Sequence, residues 1–150
     1  QRVCGRLFSA LDNWSVETGL GEASLGPGVL FTETDNVIPD VAWIKQESLT
    51  NALDESGHLT RAPDLAVEVL SLGKNNQARD RNLKLRLYSV QGVREYWIVD
   101  WREEKVEIYR RASAQLTLQT TLYKGDTLTS PILPGFSYSM DRLFVRIGQS

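Results

Sequence analysis

Three acidic residues lie at or inside apolar segments of the sequence. Asp40 directly precedes the run Val41–Ile44, and Asp64 and Glu68 flank and interrupt the run 65–70. An ionised carboxylate is costly in such surroundings unless it is paired, hydrogen-bonded or bound to a metal ion. These three residues are therefore the first candidates for acid–base or metal chemistry.

Spacing selects two of the three as a pair. Asp64 and Glu68 would be about 13 Å apart on one strand at ~3.3 Å per residue, too far to share an ion. If the strand after Asp40 pairs antiparallel with that of Glu68, a register with Lys45 opposite Pro63 places Asp40 opposite Glu68. Opposed residues have Cβ atoms about 4.5–5.5 Å apart, close enough to share a divalent cation. The alternatives are that Asp40 caps the turn after Pro39 and that Glu68 pairs with an arginine.

Lys84 is the third candidate, two turns into a helix predicted after the Glu68 strand. Its long side chain could reach back over the end of that strand. The alternative is an exposed ion pair with Asp80, because the two residues have i,i+4 spacing. Tyr88 continues the same row, where it could equally serve packing.

Hydrophobic periodicity predicts the elements that must position these residues. A helix is expected over Arg6–Val16, and a hairpin from 20–25 and 29–32 around the turn at residues 26–28. A βαβ unit follows, in which helix 77–91 carries an apolar stripe of Leu83, Leu87 and Val90. The remaining predicted elements are the strands 41–44, 65–70, 95–100, 105–109 and 116–123 and one helical turn at 139–144.

Composition limits the class of protein. The chain has 150 residues, a formal net charge of −2 and one cysteine, Cys4. This length predicts one domain over residues 1–150, and a single cysteine excludes a disulfide framework. No spanning helix or signal peptide is evident, so we expect a cytoplasmic protein with no membrane partner. The given sequence begins at Gln1, so it would not include any functional residue that precedes this position. The expected fold class is α+β or mixed α/β.

Charge and motifs narrow the chemistry further. The net charge argues against a nonspecific polyanion binder, so a nucleic-acid role requires a local basic patch. Glycine-rich phosphate loops, H-E-x-x-H and G-x-S-x-G are absent, and His58 is the one histidine. Tyr96 and Trp97 are expected in the core. The local basic residues that adjoin the carboxylates are Lys74, Arg79, Arg81, Lys84, Arg86 and Arg94.

Three strings in order, IPDVAWI at 38–44, APDLAVEVLS at 62–71 and GVREYWIVD at 92–100, resemble the Uma-type restriction endonuclease family. That family is a branch of the restriction-endonuclease-like PD-(D/E)XK superfamily. The resemblance implies a central mixed β-sheet flanked by helices, with Asp40 and Glu68 as the Mg²⁺-binding (or Mn²⁺-binding) motif carboxylates. Leu70 stands where the superfamily lysine is usual, and the resemblance suggests that Lys84 replaces it. The superfamily often adds a glutamate from its first helix, for which Glu17 and Glu22 are poor substitutes.

The predicted function is metal-dependent hydrolysis of DNA, with Asp40 and Glu68 holding the ion and Lys84 orienting or activating the attacking water. One rival is an inactive nuclease-fold module for nucleic-acid binding or protein interaction. The other is an oligomerisation domain whose carboxylates are merely ion-paired. Cutting both strands of a duplex is simplest with two sites related by a two-fold axis, so a homodimer is one expected assembly.

Overall fold

The computed structural model describes residues 2–27, 29–30, 36–50, 52, 54–56, 58–70 and 77–146, without the side chains of 29–30, 36–37 and 77–80. These residues include three α-helices, α1 (Arg2–Thr18), α2 (Gln77–Gln91) and α3 (Met140–Leu143), and a short 3-10 helix at Gln46–Ser48. The strands are β1 (Gly21–Leu25), β2 (Val29–Leu30), β3 (Asn36–Val37), β4 (Val41–Lys45), β5 (Leu65–Val69), β6 (Glu95–Asp100), β7 (Lys105–Ala112), β8 (Gln115–Tyr123), β9 (Thr127–Ser130) and β10 (Leu133–Ser139).

Six of these strands form one mixed sheet in the order β1-β4-β5-β6-β7-β8. The neighbours β5 and β6 are parallel and are joined through α2, whereas every other pair in this sheet is antiparallel. A parallel pair needs a crossover connection, which α2 supplies. The predicted βαβ unit is therefore confirmed, as are the antiparallel strands β7 and β8.

Helices cover both faces of this sheet. Alternate side chains of a strand point to opposite faces, so β5 and β6 contribute to two separate cores. On one face, Val67 and Trp97 pack with α1, α3 and the hairpin β9–β10. On the other, Ala66 and Ile98 pack with α2 through Tyr88. The chain thus has the predicted class, an α+β fold with a central mixed sheet flanked by helices.

The predicted hairpin around residues 26–28 is wrong. Strand β1 pairs with β4, with Gly21 opposite Lys45, and β2 pairs with β3. The cause lies in long-range packing, because the buried strand β4 needs a partner on each side and β1 supplies one. Gly21 suits this contact, since a Cβ there would lie 2.3 Å from Cζ2 of Trp43.

The predicted apolar stripe of α2 is also wrong, although the helix has the predicted bounds. Leu83 is 50% exposed and Val90 is 77% exposed, whereas Tyr88 is fully buried. The helix packs on the sheet through Leu85 and Tyr88. Its inward face also carries charged side chains, for which the sheet provides acidic partners, and a stripe defined by apolar residues alone cannot identify such a face.

No helix within the described ranges is long and apolar enough to cross a membrane.

Candidate active site

The strand register brings the end of β4 beside Glu68. Strands β4 and β5 pair in the register predicted from the sequence. The paired residues are Val41–Val67, Ala42–Ala66 and Trp43–Leu65. Where that ladder ends, the amide of Asp40 donates to the oxygen of Val67 at 3.0 Å. Oδ2 of Asp40 accepts from the amide of Val69 at 2.7 Å. Asp40 is thus bonded to the backbone on both sides of Glu68.

Glu68 is nearly buried, with 7% of its surface exposed, and both of its carboxylate oxygens are engaged. Nζ of Lys84 donates to Oε1 at 3.1 Å, and the hydroxyl of Tyr88 donates to Oε2 at 3.0 Å. Burial raises the pKa of Glu68, an effect that Lys84 opposes and the charge of Asp40 reinforces. Asp40 and Glu68 therefore repel each other across the strand pair, and Lys84 is the cation that offsets this repulsion.

Helix α2 positions both donors. Lys84 and Tyr88 are four residues apart, so they lie one above the other on the same helix face. The ring of Tyr88 packs against that of Tyr96 with centroids 4.9 Å apart, which fixes the direction of the hydroxyl. Burial and the charge of Glu68 raise the pKa of the Tyr88 phenol, so it stays protonated and remains a donor. The side chain of Asp80 lies outside the described residues, so its pairing with Lys84 stays a prediction.

A second ion pair holds the same helix to the sheet. Arg81 contacts Oε1 of Glu107 on β7, and the hydroxyl of Tyr109 donates to the same oxygen at 3.2 Å. Ile98 is opposite both Glu68 and Glu107, so the two carboxylates belong to one row across the sheet. Helix α2 is therefore anchored at two acidic positions two strands apart.

The first turn of α1 approaches the site from the opposite face. Sγ of Cys4 lies 4.0 Å from the backbone oxygen of Asp40, and the amide of Gly26 donates to the same oxygen at 2.9 Å. Burial, reinforced by the charge of Asp40, raises the pKa of the Cys4 thiol, so it stays neutral. The substitute glutamates are elsewhere: Glu22 pairs with Ile44, about 13 Å along β4 from Asp40 at ~3.3 Å per residue, and Glu17 is in the last turns of α1.

Other residues singled out from the sequence have structural partners. Asp64 accepts the amide of Lys45 through Oδ2 at 2.9 Å, at the opposite end of β5 from the candidate site. Leu70 follows the end of β5, where its amide donates to the oxygen of Val99. Tyr96 and Trp97 are buried in the core, as predicted.

The site has the donor chemistry for a hard cation with few protein ligands. No group of three or more His, Cys, Asp or Glu side chains that could hold a metal occurs within the described part of the chain. Mg²⁺ is usually bound by one or two carboxylates and completes its shell with water and substrate phosphates. Asp40 and Glu68 match that pattern. Zinc would be expected to take four ligands at a structural site and three at a catalytic one.

Sequence reasoning identified Asp40, Glu68 and Lys84, and the structure brings these three residues together. The sequence does not distinguish a site role for Tyr88 from packing, and it does not single out Glu107 or the approach of Cys4. The i,i+4 spacing of Lys84 and Tyr88 was the signal for Tyr88. Glu107 has no comparable signal in the sequence, because the alternation of residues in a strand does not show which helix packs on each face of the sheet.

Comparison with known proteins supplies the family. The Uma2 family model, described as "Putative restriction endonuclease", matches residues 1–141. The chain belongs to the Uma2 family. No curated protein matches the chain. Among solved structures, it is similar to the "Crystal structure of a putative nuclease belonging to DUF820 from Anabaena variabilis ATCC 29413", with a TM-score of 0.73 at 18% identity over 95% of this chain and 78% of that one. Together with the sheet described above, this similarity gives the chain a restriction-endonuclease-like fold. Membership in the Uma2 family supports a nuclease.

Proposed function

We propose that this Uma2 protein is a Mg²⁺-dependent (or Mn²⁺-dependent) endonuclease that hydrolyses phosphodiester bonds in DNA. One observation carries the proposal: a nearly buried glutamate, Glu68, lies beside a second carboxylate, Asp40, and both of its oxygens are bonded by donors from one helix. Such an arrangement is costly for the fold, which favours a functional role for it.

Asp40 and Glu68 would hold the ion through carboxylate oxygens. When bound, the ion would polarise a phosphate oxygen and lower the pKa of a bound water. Asp40 is suited to this role because the amide of Val69 occupies one oxygen and fixes the direction of the other. Glu68 is held in one orientation by two donors, and preorganised groups lose little freedom when they bind.

Lys84 is the residue proposed to act on the reacting atoms. Its ammonium group donates to Oε1 of Glu68, and its side chain is 31% exposed. An ammonium group carries a positive charge and N–H donors, which are the properties needed to orient an attacking water or to contact a phosphate oxygen. Tyr88 is proposed as a positioning residue, because it touches Glu68 and is fully buried.

Cleavage of plasmid and linear duplex DNA tests the proposal directly. The purified chain is expected to nick or cut DNA with Mg²⁺ or Mn²⁺ and to be inactive in chelator. Glu68→Gln preserves the size of the side chain while it removes the charge, so it is expected to abolish cleavage without unfolding the domain. Glu22→Gln removes an exposed carboxylate of β1 and is the matched control. Equal rates in chelator and in Mg²⁺ contradict the proposal.

A second candidate is a nuclease fold that binds DNA without cutting it. It is favoured by Leu70, since the resemblance places the usual superfamily lysine there. Salt-sensitive DNA binding with no cleavage in any divalent metal supports this candidate over the first. The mass of the DNA complex tests the homodimer, because two copies would supply one site to each strand of a duplex.

A further inference from the structure

Among the described residues, strand β8 is the last strand at one edge of the six-stranded sheet. It pairs with β7 on one side, so its other side is an open edge. Such edges pair readily with further strands, and proteins usually protect them with charged residues or proline. The nine residues of β8, QLTLQTTLY, include neither, whereas the opposite edge strand β1 has five residues and carries Glu22. The edge suited to a further strand is therefore β8.

Hydrogen bonds at the two ends of β8 show which of its backbone groups face outward. The amide of Leu116 donates to Oγ of Ser89 on α2 at 3.1 Å. The amide of Tyr123 donates to Oδ2 of Asp126 at 2.8 Å. Both amides are bonded to side chains from outside the ladder, so they point away from β7. The ends of the open edge are thus capped within the chain.

The middle of the strand offers outward backbone groups without such caps. In an antiparallel ladder the N–H and C=O groups of every second residue point to the same side. Leu118 follows Leu116 by two residues and Thr121 precedes Tyr123 by two, so both face outward. The β-bulge at Gln119 absorbs the extra residue between them. In the part of the chain that the structure describes, no side chain or loop accepts a hydrogen bond from these two amides.

We propose that a second copy of this chain pairs its own β8 antiparallel with this edge, with Leu118 of each copy opposite Thr121 of the other. The outward residues 116, 118, 121 and 123 have the same spacing in both directions, because the bulge lies at their centre. Reversing the strand therefore brings outward residues opposite one another. Each Leu118–Thr121 pair can exchange two backbone hydrogen bonds. The pairing is two-fold and closes with two copies.

A groove beside the edge favours a second copy over an unrelated strand. The groove has a volume of about 560 Å³, lies between α2 and the start of β8, and has Leu85, Val90 and Leu116 among its lining residues. Val90 is exposed although it is apolar. The proposed register places Tyr123 of the second copy opposite Leu116, and opposed residues point to the same face of a sheet. The exposed ring of Tyr123 in each copy would then cover the groove of the other.

The mass of the chain in solution, without DNA or metal, tests this interface. Light scattering is expected to give twice the mass of one chain. Leu118→Lys would bury an ammonium group between the paired strands without a carboxylate, so this variant is expected to have the mass of one chain. Leu25→Lys is the matched control, because Leu25 is 54% exposed on β1 and Leu118 is 52% exposed on β8. This control is expected to stay dimeric.

A second substitution tests the register of the pairing. In Leu118→Lys/Thr121→Glu, each lysine would lie opposite a glutamate of the other copy, so the dimer is expected to return. Leu118→Lys/Thr117→Glu carries the same charges and is the matched control. Thr117 lies next to Leu118 in the strand, so its side chain points to the other face of the sheet. This control is expected to remain a monomer.

Hydrogen exchange of the unmodified chain provides a readout that needs no variant to fold. Exchange in residues 117–122 is expected to slow as the protein concentration rises, whereas exchange in β1 should not change. A monomer at every concentration, a dimer that Leu118→Lys leaves intact, or concentration-independent exchange in residues 117–122 would overturn the β8 interface. The interface is independent of the proposed function. Metal-dependent cleavage by a monomer would leave only the function standing, and a β8-paired dimer that does not cleave would leave only the interface.

Discussion

Nζ of Lys84 lies 3.1 Å from Oε1 of Glu68, although the two residues are 16 positions apart and belong to a helix and a strand. The side chain of Glu68 is 9% exposed and that of Lys84 is 31% exposed. Glu68 is therefore the buried partner of this ion pair and Lys84 the more exposed one.

Replacing Lys84 tests whether this contact serves catalysis. Lys84→Met is expected to lower kcat by more than about tenfold, or ~1.4 kcal/mol of transition-state stabilisation, with metal affinity nearly unchanged. The reason is that the ammonium group is proposed to act on water or phosphate, whereas the carboxylates bind the ion. Single-turnover cleavage and isothermal titration with Mn²⁺ measure the two quantities. Arg86→Met, at an exposed position of the same helix, is the control. Full activity with only a lower Tm would show that Lys84 is a structural partner.

Tyr88 provides a finer test of how Glu68 is oriented. Tyr88→Phe removes one hydroxyl and leaves Oε2 of a buried carboxylate without that donor, which is expected to cost about 1–3 kcal/mol of stability. If orientation of Glu68 matters, kcat falls at saturating metal as well. Tyr109→Phe is a matched control, because it removes a hydroxyl bonded to Glu107 outside the proposed site. Comparable losses of kcat in both variants would show that Tyr88 affects the enzyme only through stability.

The strand part of the candidate site could be predicted because β pairing follows simple geometry. Once Lys45 is set opposite Pro63, the side-chain period of two carries Asp40 to the level of Glu68. A slip of one residue would move Asp40 and Glu68 to opposite faces of the sheet, so the period of two excludes half of the possible registers. The observed ladder has the predicted register. Spacing excluded the pair Asp64 and Glu68, and the assumed antiparallel register, which the structure has, brought Asp40 to Glu68.

The helix part of the site could not be fully predicted, for a different physical reason. The inward face of α2 carries Arg81, Lys84 and Tyr88, which pair with acidic residues of the sheet. Hydrophobic periodicity assumes that apolar residues face inward, and this helix breaks that assumption where its polar groups find buried partners. The hairpin prediction is wrong for a similar reason. The turn residues predict a local hairpin, but β1 pairs with the buried strand β4, which needs a hydrogen-bonded neighbour on each side.

The pH dependence of stability gives a test that needs no substrate. Burial raises the pKa of Glu68 above its ordinary value of 4.5, so the folded chain holds this proton more tightly than the unfolded chain does. The contribution of Glu68 to stability therefore falls as pH rises from about 4.5 to the folded-state pKa, and stays low above it. Glu68→Gln has no such titration. The Tm of Glu68→Gln minus the Tm of the unmodified chain is therefore expected to increase as the pH rises through that range. The same difference for the control Glu22→Gln should not increase comparably. A Tm difference between Glu68→Gln and the unmodified chain that decreases with rising pH contradicts the burial argument.

Metal-dependent melting tests the proposed ion site without any substrate. In the metal-free chain, Asp40 and Glu68 repel each other, so Asp40→Asn and Glu68→Gln are each expected to raise the Tm. Mg²⁺ at ten times its dissociation constant should stabilise the unmodified chain by about 1.4 kcal/mol, a shift of roughly 3–5 °C at this size. Either variant should gain far less, because one of two ligands has lost its charge. Melting curves of the three proteins with and without Mg²⁺ measure all of these effects. If both substitutions lower the metal-free Tm and Mg²⁺ shifts all three proteins equally, the two carboxylates stabilise the fold and do not bind an ion.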